Sequence, residues 1–232
     1  MNVKEFKLSN RLSACAQEIT PKAKIADIGT DHAYIPVWLA LKGKISHALA
    51  CDIRNGPLQN AKKNIEHFNL NEIIETRLSD GLKNISETEA DEIIIAGMGG
   101  NMIANILEMC SWKNKCQKKF ILQPMKYENK LRKYLASNGY EIKSEKAVIC
   151  SGKIYSVMVV IFTGTPYEIS DLQEYTGKIT ENIDKACEAY IRKQIKNVEN
   201  LLKGAEAEKN LNEKIKYEAL SNQLREILKT RM

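Results

Sequence analysis

Apolar residues at Leu8, Leu12, Cys15, Ala16 and Ile19 recur every three or four positions, which predicts an amphipathic helix over 4–19 that stops at Pro21. The period then changes. Residues 24–28 form a short apolar run ending at Gly29, a buried-strand pattern. Helical spacing returns over 34–42, a second strand over 47–53, and a helix over 56–68 with Pro57 in its first turn. Further strands are predicted at 73–78, 92–96 and 120–122, the last broken by Pro124, with helices at 101–110 and 127–137. Runs at 147–150 and 155–162 flank Ser151-Gly152-Lys153 and read as a hairpin. Strands alternating with helices predict an α/β fold, a mostly parallel sheet covered on both faces, with an antiparallel strand at one edge.

Past Gly164-Thr165-Pro166 the strands cease. Leu172, Tyr175, Ile179, Ile183, Ala186 and Tyr190 step by three and four, and Leu211, Ile215, Leu220, Leu224 and Ile227 keep near-helical spacing. With Gly204 as the turn between them, they predict a C-terminal α-helical hairpin of coiled-coil type. The division expected is 1–165 for the α/β domain and 166–232 for the hairpin. Over 171–232, twelve Lys/Arg nearly cancel eleven Asp/Glu, so the hairpin is a solvated helical face rather than a basic arm.

The chain of 232 residues has a net charge of +6, and that charge is unevenly placed. Between 113 and 146 stand Lys113, Lys115, Lys118, Lys119, Lys126, Lys130, Arg132, Lys133, Lys143 and Lys146, against Glu128, Glu141 and Glu145. Such a window suits a phosphate backbone, and it equally suits a solvated lysine face. Cys15, Cys51, Cys110, Cys116, Cys150 and Cys187 form no Cys-x-x-Cys pair, and His32, His47 and His67 stand at no zinc spacing from them. Reduced thiols and no metal are expected. No apolar run approaches the ~20 residues of a membrane span, and residues 1–6 open no apolar signal, so a cytoplasmic protein is expected.

In wound α/β sheets ligands sit at the carboxyl ends of the strands, and four such ends carry chemistry here. The first reads Asp27-Ile28-Gly29-Thr30-Asp31-His32-Ala33-Tyr34. Gly29 lets a ligand approach the backbone, but the other two glycines of the dinucleotide fingerprint Gly-x-Gly-x-x-Gly are absent, which counts against a pyrophosphate on the next helix. Asp27 beside it suits a cationic ligand such as S-adenosylmethionine. Asp52, 23 residues past Gly29 and followed by Ile53, can accept the ribose hydroxyls. Asp80-Gly81 can receive the adenine amino group. Gly97-Met98-Gly99-Gly100 leaves backbone bare beside the expected methyl group. These ends together point to an S-adenosylmethionine-dependent methyltransferase with a Rossmann-like sheet. An NAD-dependent enzyme on a similar fold and a catalytically silent RNA-binding module are the alternatives.

Residues 25–36 (IADIGTDHAYIP), 95–100 (IAGMGG), Leu122-Gln123-Pro124 and Leu8-Ser9-Asn10-Arg11-Leu12 resemble the TrmK family of bacterial tRNA (adenine-N1)-methyltransferases. The resemblance covers about 6–163, and more loosely the hairpin; Thr30 and Met125 depart from it where serine and asparagine are expected. It implies a class I methyltransferase fold, S-adenosylmethionine as cofactor, and methyl transfer to N1 of adenine 22 in tRNA. The cofactor-binding residues expected are Arg11, Asp27, Gly29, Asp31, His32, Asp52, Ile53, Asp80, Gly81, Gly97 and Met98. Asp31 and Tyr34 are the candidate catalytic residues, with Gln123 a secondary candidate. Lys113, Lys115, Lys118, Lys119, Lys126, Lys130, Arg132 and Lys133 are expected to bind RNA. The expected partner is tRNA, and a monomer is the expected state.

Overall fold

The structure is a computed structural model that describes residues 6–112, 118–181 and 183–231. The first helix, α1 (Asn10–Gln17), starts later than its apolar pattern suggests, because the Ser9 hydroxyl caps it by accepting from the Leu12 amide. There follow β1 (Ala23–Ile28), α2 (Tyr34–Leu41), β2 (Ile45–Asp52), α3 (Asn55–His67), β3 (Ile74–Leu78), β4 (Glu92–Met98), α4 (Gly100–Glu108), β5 (Lys119–Pro124), α5 (Glu128–Ser137), β6 (Tyr140–Cys150) and β7 (Lys153–Phe162). β4 runs on through Gly97 and Met98, which therefore belong to the sheet rather than to a following loop. β6 begins at Tyr140 rather than at 147. Its register shifts between Ile142 and Ser144, and this irregularity hides the alternation that would have marked it.

The sheet has seven strands in the order β3-β2-β1-β4-β5-β7-β6. β7 runs antiparallel to both β5 and β6, and the pairings from β3 to β5 are parallel. Ser151 and Gly152 close the β6–β7 hairpin, both at positive φ (49° and 72°), as a tight hairpin turn requires. Successive residues of a strand point to opposite faces. Ile93 and Ile95 thus pack under α4 and α5 with Ile103, Leu107, Leu131 and Leu135. Ile94 turns to the other face, with Cys15, Ile35, Leu39 and Ile65 from α1, α2 and α3.

The C-terminal region holds α6 (Asp171–Thr176), a 3-10 turn (Ile179–Glu181), α7 (Lys185–Ala207) and α8 (Leu211–Arg231). Gly204 lies inside α7; the turn comes after it, with Lys209 left-handed at φ 55°. Ion pairs Arg225–Glu199 and Lys214–Glu206 show that α8 folds back antiparallel on α7. The stretch predicted as one helix breaks at Gly177, because that backbone passes over the Arg132–Glu145 pair and a Cβ there would overlap the carboxylate. Tyr190, Ile191, Val198, Leu220 and Leu224 form the hairpin's own core, against which Ala147 and Ile154 of the β6–β7 pair are packed. Cys15, Cys51, Cys110 and Cys187 are buried and Cys150 is partly exposed.

Candidate active site

β1 lies between β2 and β4, so the strand order reverses there and a crevice opens beyond the carboxyl ends of β1 and β4. A cavity of about 720 Å³ occupies it, lined by Asp27, Gly29, Thr30, Asp31, His32 and Tyr34 on one side and by Ala96, Gly97 and Arg11 on the other. That is the size of a small-molecule pocket. Residues 6–9 line the cavity too. Sequence periodicity could not assign them there, because it folded them into the first helix.

Asp27 is almost fully buried, with its carboxylate near the Thr30 hydroxyl; burial pushes its pKa up to about 6 against that hydrogen bond. Gly29 stands at φ 76°, and a Cβ there would overlap the methyl of Met98, which lies over it. The amides of Gly29 and Thr30 both donate to the Cys51 carbonyl at 2.8 Å, which locks the β1 end onto β2. The Thr30 hydroxyl accepts from the Ala33 amide at 3.1 Å, and Ala33 enters α2 left-handed at φ 52° with no side chain capping the helix. Asp31 is therefore no cap. Its side chain is 68% exposed at the cavity mouth, with His32 Nε2 at 3.4 Å. The His32 ring stacks on Tyr34 (4.9 Å between centroids, 11° between planes), and Phe6 packs on Tyr34 at 5.9 Å. Tyr34 is an exposed rim residue, not a core one.

Across the cavity, Arg11 donates to the side-chain oxygen of buried Gln123, and the Gly97 amide donates to the same oxygen at 3.1 Å. The Gln123 amide nitrogen donates to the Pro124 carbonyl at 2.7 Å, which fixes its orientation. The guanidinium also lies 5.9 Å from the Tyr155 ring centroid. Gln123 thus sets where Arg11 points, and Tyr155 supports it. Sequence reading ranks Gln123 second and misses Tyr155, since neither follows a glycine or an acidic strand end.

Asp52 and Asp80 stand farther along the same rim, at the ends of β2 and β3, outside the cavity lining. One Asp52 oxygen accepts from the Arg54 amide at 2.8 Å, and Ile53 beside it is exposed. Asp80 pairs with Lys83 at 2.5 Å. Gly81 has a packing reason for its bareness: a Cβ would press on Ile106 of α4 at 3.1 Å. Gly100 likewise is held against the Tyr127 carbonyl, and its amide donates to the Lys126 carbonyl at 2.9 Å.

The basic window divides. Arg132, expected to bind RNA, is instead buried and committed to Glu145, Tyr190 and the Glu174 carbonyl, so a phosphate cannot reach it. Lys119 is bound to Glu92 and the Glu18 carbonyl. It and Lys118 stand at the start of β5, the far end of the strand from the cavity. Lys133 is exposed but paired with Glu174. Lys113 and Lys115 lie outside the described residues. Lys126 and Lys130 are exposed on the cavity side, past the carboxyl end of β5. Among the described residues no group of three or more His, Cys, Asp or Glu could hold a metal ion.

Residues 8–158 match the methyltransferase domain family. Over 155 residues the chain is 43% identical to the tRNA (adenine(22)-N(1))-methyltransferase of Bacillus subtilis, a match covering 67% of this chain and 65% of that protein's length. The fold is similar to the crystal structure of the B. subtilis m1A22 tRNA methyltransferase TrmK, with TM-score 0.83, 30% identity and coverage of 96% and 99% of the two chains. It is similar also to M. capricolum TrmK in complex with S-adenosyl-homocysteine, with TM-score 0.76, 30% identity and coverage of 94% and 96%. The shared domain and the likeness along nearly the whole length, hairpin included, establish that the chain belongs to the TrmK family of methyltransferases.

Proposed function

We propose that this protein transfers the methyl group of S-adenosylmethionine to N1 of adenine 22 in tRNA, with residues 1–165 carrying the reaction and 166–232 forming the hairpin. The observation that carries this reading is a buried acid, Asp27, lining the same cavity as Gly29 at the switch point of a TrmK-family sheet. A buried carboxyl in the wall of such a cavity fits a ligand with an ammonium group. Asp27 would hold that amino group, Arg11 the methionine carboxylate, Asp52 through its second oxygen the ribose, and Asp80 the adenine. His32, Ile53, Gly81, Gly97 and Met98 would complete the walls.

The cofactor supplies a methyl carbon on a positively charged sulfur. The adenine N1 lone pair forms the new N–C bond as the S–C bond breaks, and that electron pair stays on sulfur, so the positive charge passes to the adenine ring. The protein's part is to hold the two in line and to stabilise the charge that arrives on the base. Asp31, at the cavity mouth, would do the second, and Tyr34 would face the base. N1 lies on the pairing edge, so the adenine must leave its stack to enter. On this reading the enzyme is a cytoplasmic monomer, and Lys126 and Lys130 meet tRNA phosphates.

Incubation with unmodified tRNA and S-adenosylmethionine, followed by nucleoside analysis, should yield N1-methyladenosine at a single position, and its absence would overturn the reading. In thermal melting, S-adenosylhomocysteine should raise the transition and NAD should not. Stabilisation by NAD alone would favour a dehydrogenase, and by neither a silent module.

The elevated pKa of Asp27 gives this site a pH dependence. Above about pH 6 the carboxylate is ready for an ammonium group, whereas below it the ligand must displace a proton. Calorimetric affinity for S-adenosylhomocysteine should therefore fall as pH drops through about 6, by up to about tenfold per unit. Asp27→Asn should bind weakly and lose that slope; a slope retained in the variant would remove Asp27 from the role.

A further inference from the structure

The segment between β5 and α5 contains an aromatic side chain that neither the fold nor the cofactor cavity uses. Tyr127 is 44% exposed, and it leads into α5 left-handed at φ 62° with no side-chain cap. Two ammonium groups flank its ring, Lys126 Nζ at 5.1 Å and Lys130 Nζ at 5.2 Å from the centroid. Neither lysine is ion-paired among the described residues, in contrast to Lys119, Lys133, Lys143 and Lys146 of the same basic window. Exposed Met125 stands beside them.

Three contacts place this cluster next to the methyl-transfer site. The Met125 amide donates to the Met98 carbonyl at 2.7 Å, the Lys126 stem crosses Gly99 within 3.7 Å of where a Cβ would stand, and the Tyr127 carbonyl abuts Gly100. On its other side, Glu128 is gripped at 2.5 Å by Lys193 of α7. The cluster thus lies between the rim of the cavity and the base of the hairpin. Both ammonium groups lie over the ring of this exposed tyrosine, each on a flexible stem that can turn aside to a phosphate, so the ring can take a base while the lysines take its backbone. Bases stack on such rings whatever their identity, and the lysines neutralise the backbone beside them.

We infer that Tyr127, Lys126 and Lys130 form a subsite for an RNA nucleotide that flanks the target adenine. The base stacks on Tyr127 and the neighbouring phosphates meet the two lysines. When the target base leaves its helix, this neighbour loses a stacking partner, and Tyr127 replaces it. The subsite rests on the reading of the enzyme as a tRNA methyltransferase, and it adds a positioning residue to it.

The test compares the full-length protein with Tyr127→Ala, Tyr127→Phe and the double variant Lys126→Ala/Lys130→Ala. Methyl incorporation into tRNA gives KM and kcat, and calorimetry with S-adenosylhomocysteine checks the cofactor site. Tyr127→Ala should raise the KM for tRNA about tenfold, the size of one lost base stack, with cofactor affinity unchanged. Tyr127→Phe should restore KM to within about threefold, because the ring and not the hydroxyl is used. The double variant should flatten the salt dependence of tRNA binding by about two phosphates' worth. A tRNA carrying 2-aminopurine next to the target adenine should be quenched on binding the wild type and stay bright with Tyr127→Ala. The subsite is overturned by an unchanged KM in Tyr127→Ala, by equal damage in Tyr127→Phe, or by quenching that survives loss of the ring. The enzymatic reading fails separately, if the wild type forms no N1-methyladenosine at all.

Discussion

Replacing Asp31 by alanine should lower kcat for tRNA methylation by about a hundredfold and leave the melting temperature and S-adenosylhomocysteine affinity near their wild-type values. An acidic residue just before a helix is ordinarily a cap, whose loss costs about 0.5–2 kcal/mol of stability and spares the chemistry. The geometry removes that role. α2 enters through left-handed Ala33, whose amide is taken by the Thr30 hydroxyl, and Asp31 bonds to no helix amide. Its carboxylate instead faces the cavity mouth, with His32 Nε2 at 3.4 Å. On the proposed reading, this exposed carboxylate is what meets the positive charge that arrives on the methylated base. Loss of one preorganised group facing developing charge typically costs about 10²–10³ in kcat. Asp31→Asn should be nearly as slow as Asp31→Ala, because the charge and not the hydrogen bond is needed. A variant that melts early while turning over normally would return Asp31 to a structural role.

What the sequence made legible follows from how local each signal is. The parallel strands are buried on both faces and read as continuous apolar runs, so β1, β2 and β4 stand out. The acids and glycines at their ends stand out in the same way, and Asp27, Gly29, Asp31, His32, Tyr34 and Gly97 converge with Arg11 on one cavity. What did not show is whatever depends on a distant partner. β6 is hidden by a register shift, and the turn at left-handed Lys209 carries no sequence mark, so the pattern points to Gly204, which α7 absorbs. Gly81 and Gly100 look like ligand glycines, yet they also answer to the fold: Gly81 is left-handed at φ 59° with Ile106 close by, and the Tyr127 carbonyl lies against Gly100. Most of all, a run of lysines and arginines has one appearance in sequence and several fates in space. Glu145 is thirteen residues from Arg132 along the chain, and only the docking of β6, α6 and α7 around that pair decides that Arg132 is a core residue.

That pair carries the largest stability effect expected in the molecule. Arg132 donates to both Glu145 oxygens, to the Glu174 carbonyl at 2.7 Å and to the Tyr190 hydroxyl at 2.7 Å. Glu145 in turn accepts from the Lys178 amide at 3.1 Å, and Gly177 lies over both partners. One guanidinium thus joins α5, the end of α6 and α7, and through Glu145 it fastens β6 to them. Burial opposes its charge, and the facing carboxylate outweighs that opposition and keeps it firmly protonated. Arg132→Ala leaves Glu145 buried without its counter-charge, which costs about 3–5 kcal/mol in such settings. For a chain of this size each kcal/mol moves the melting temperature by about 2–4 °C, so a fall of roughly 10 °C is expected. Lys133→Ala, one residue away, removes an exposed lysine from the nearly buried Glu174 carboxylate and should shift the transition by about 3 °C, well short of the Arg132 effect. Arg132→Met combined with Glu145→Leu should recover most of the loss, because an apolar pair of similar volume has no stranded charge. Were Arg132→Ala to melt alongside Lys133→Ala, the buried pair would not be what fixes the hairpin to the sheet. If the fall is seen, limited proteolysis should cut first between β7 and α7, where the hairpin comes away from the sheet.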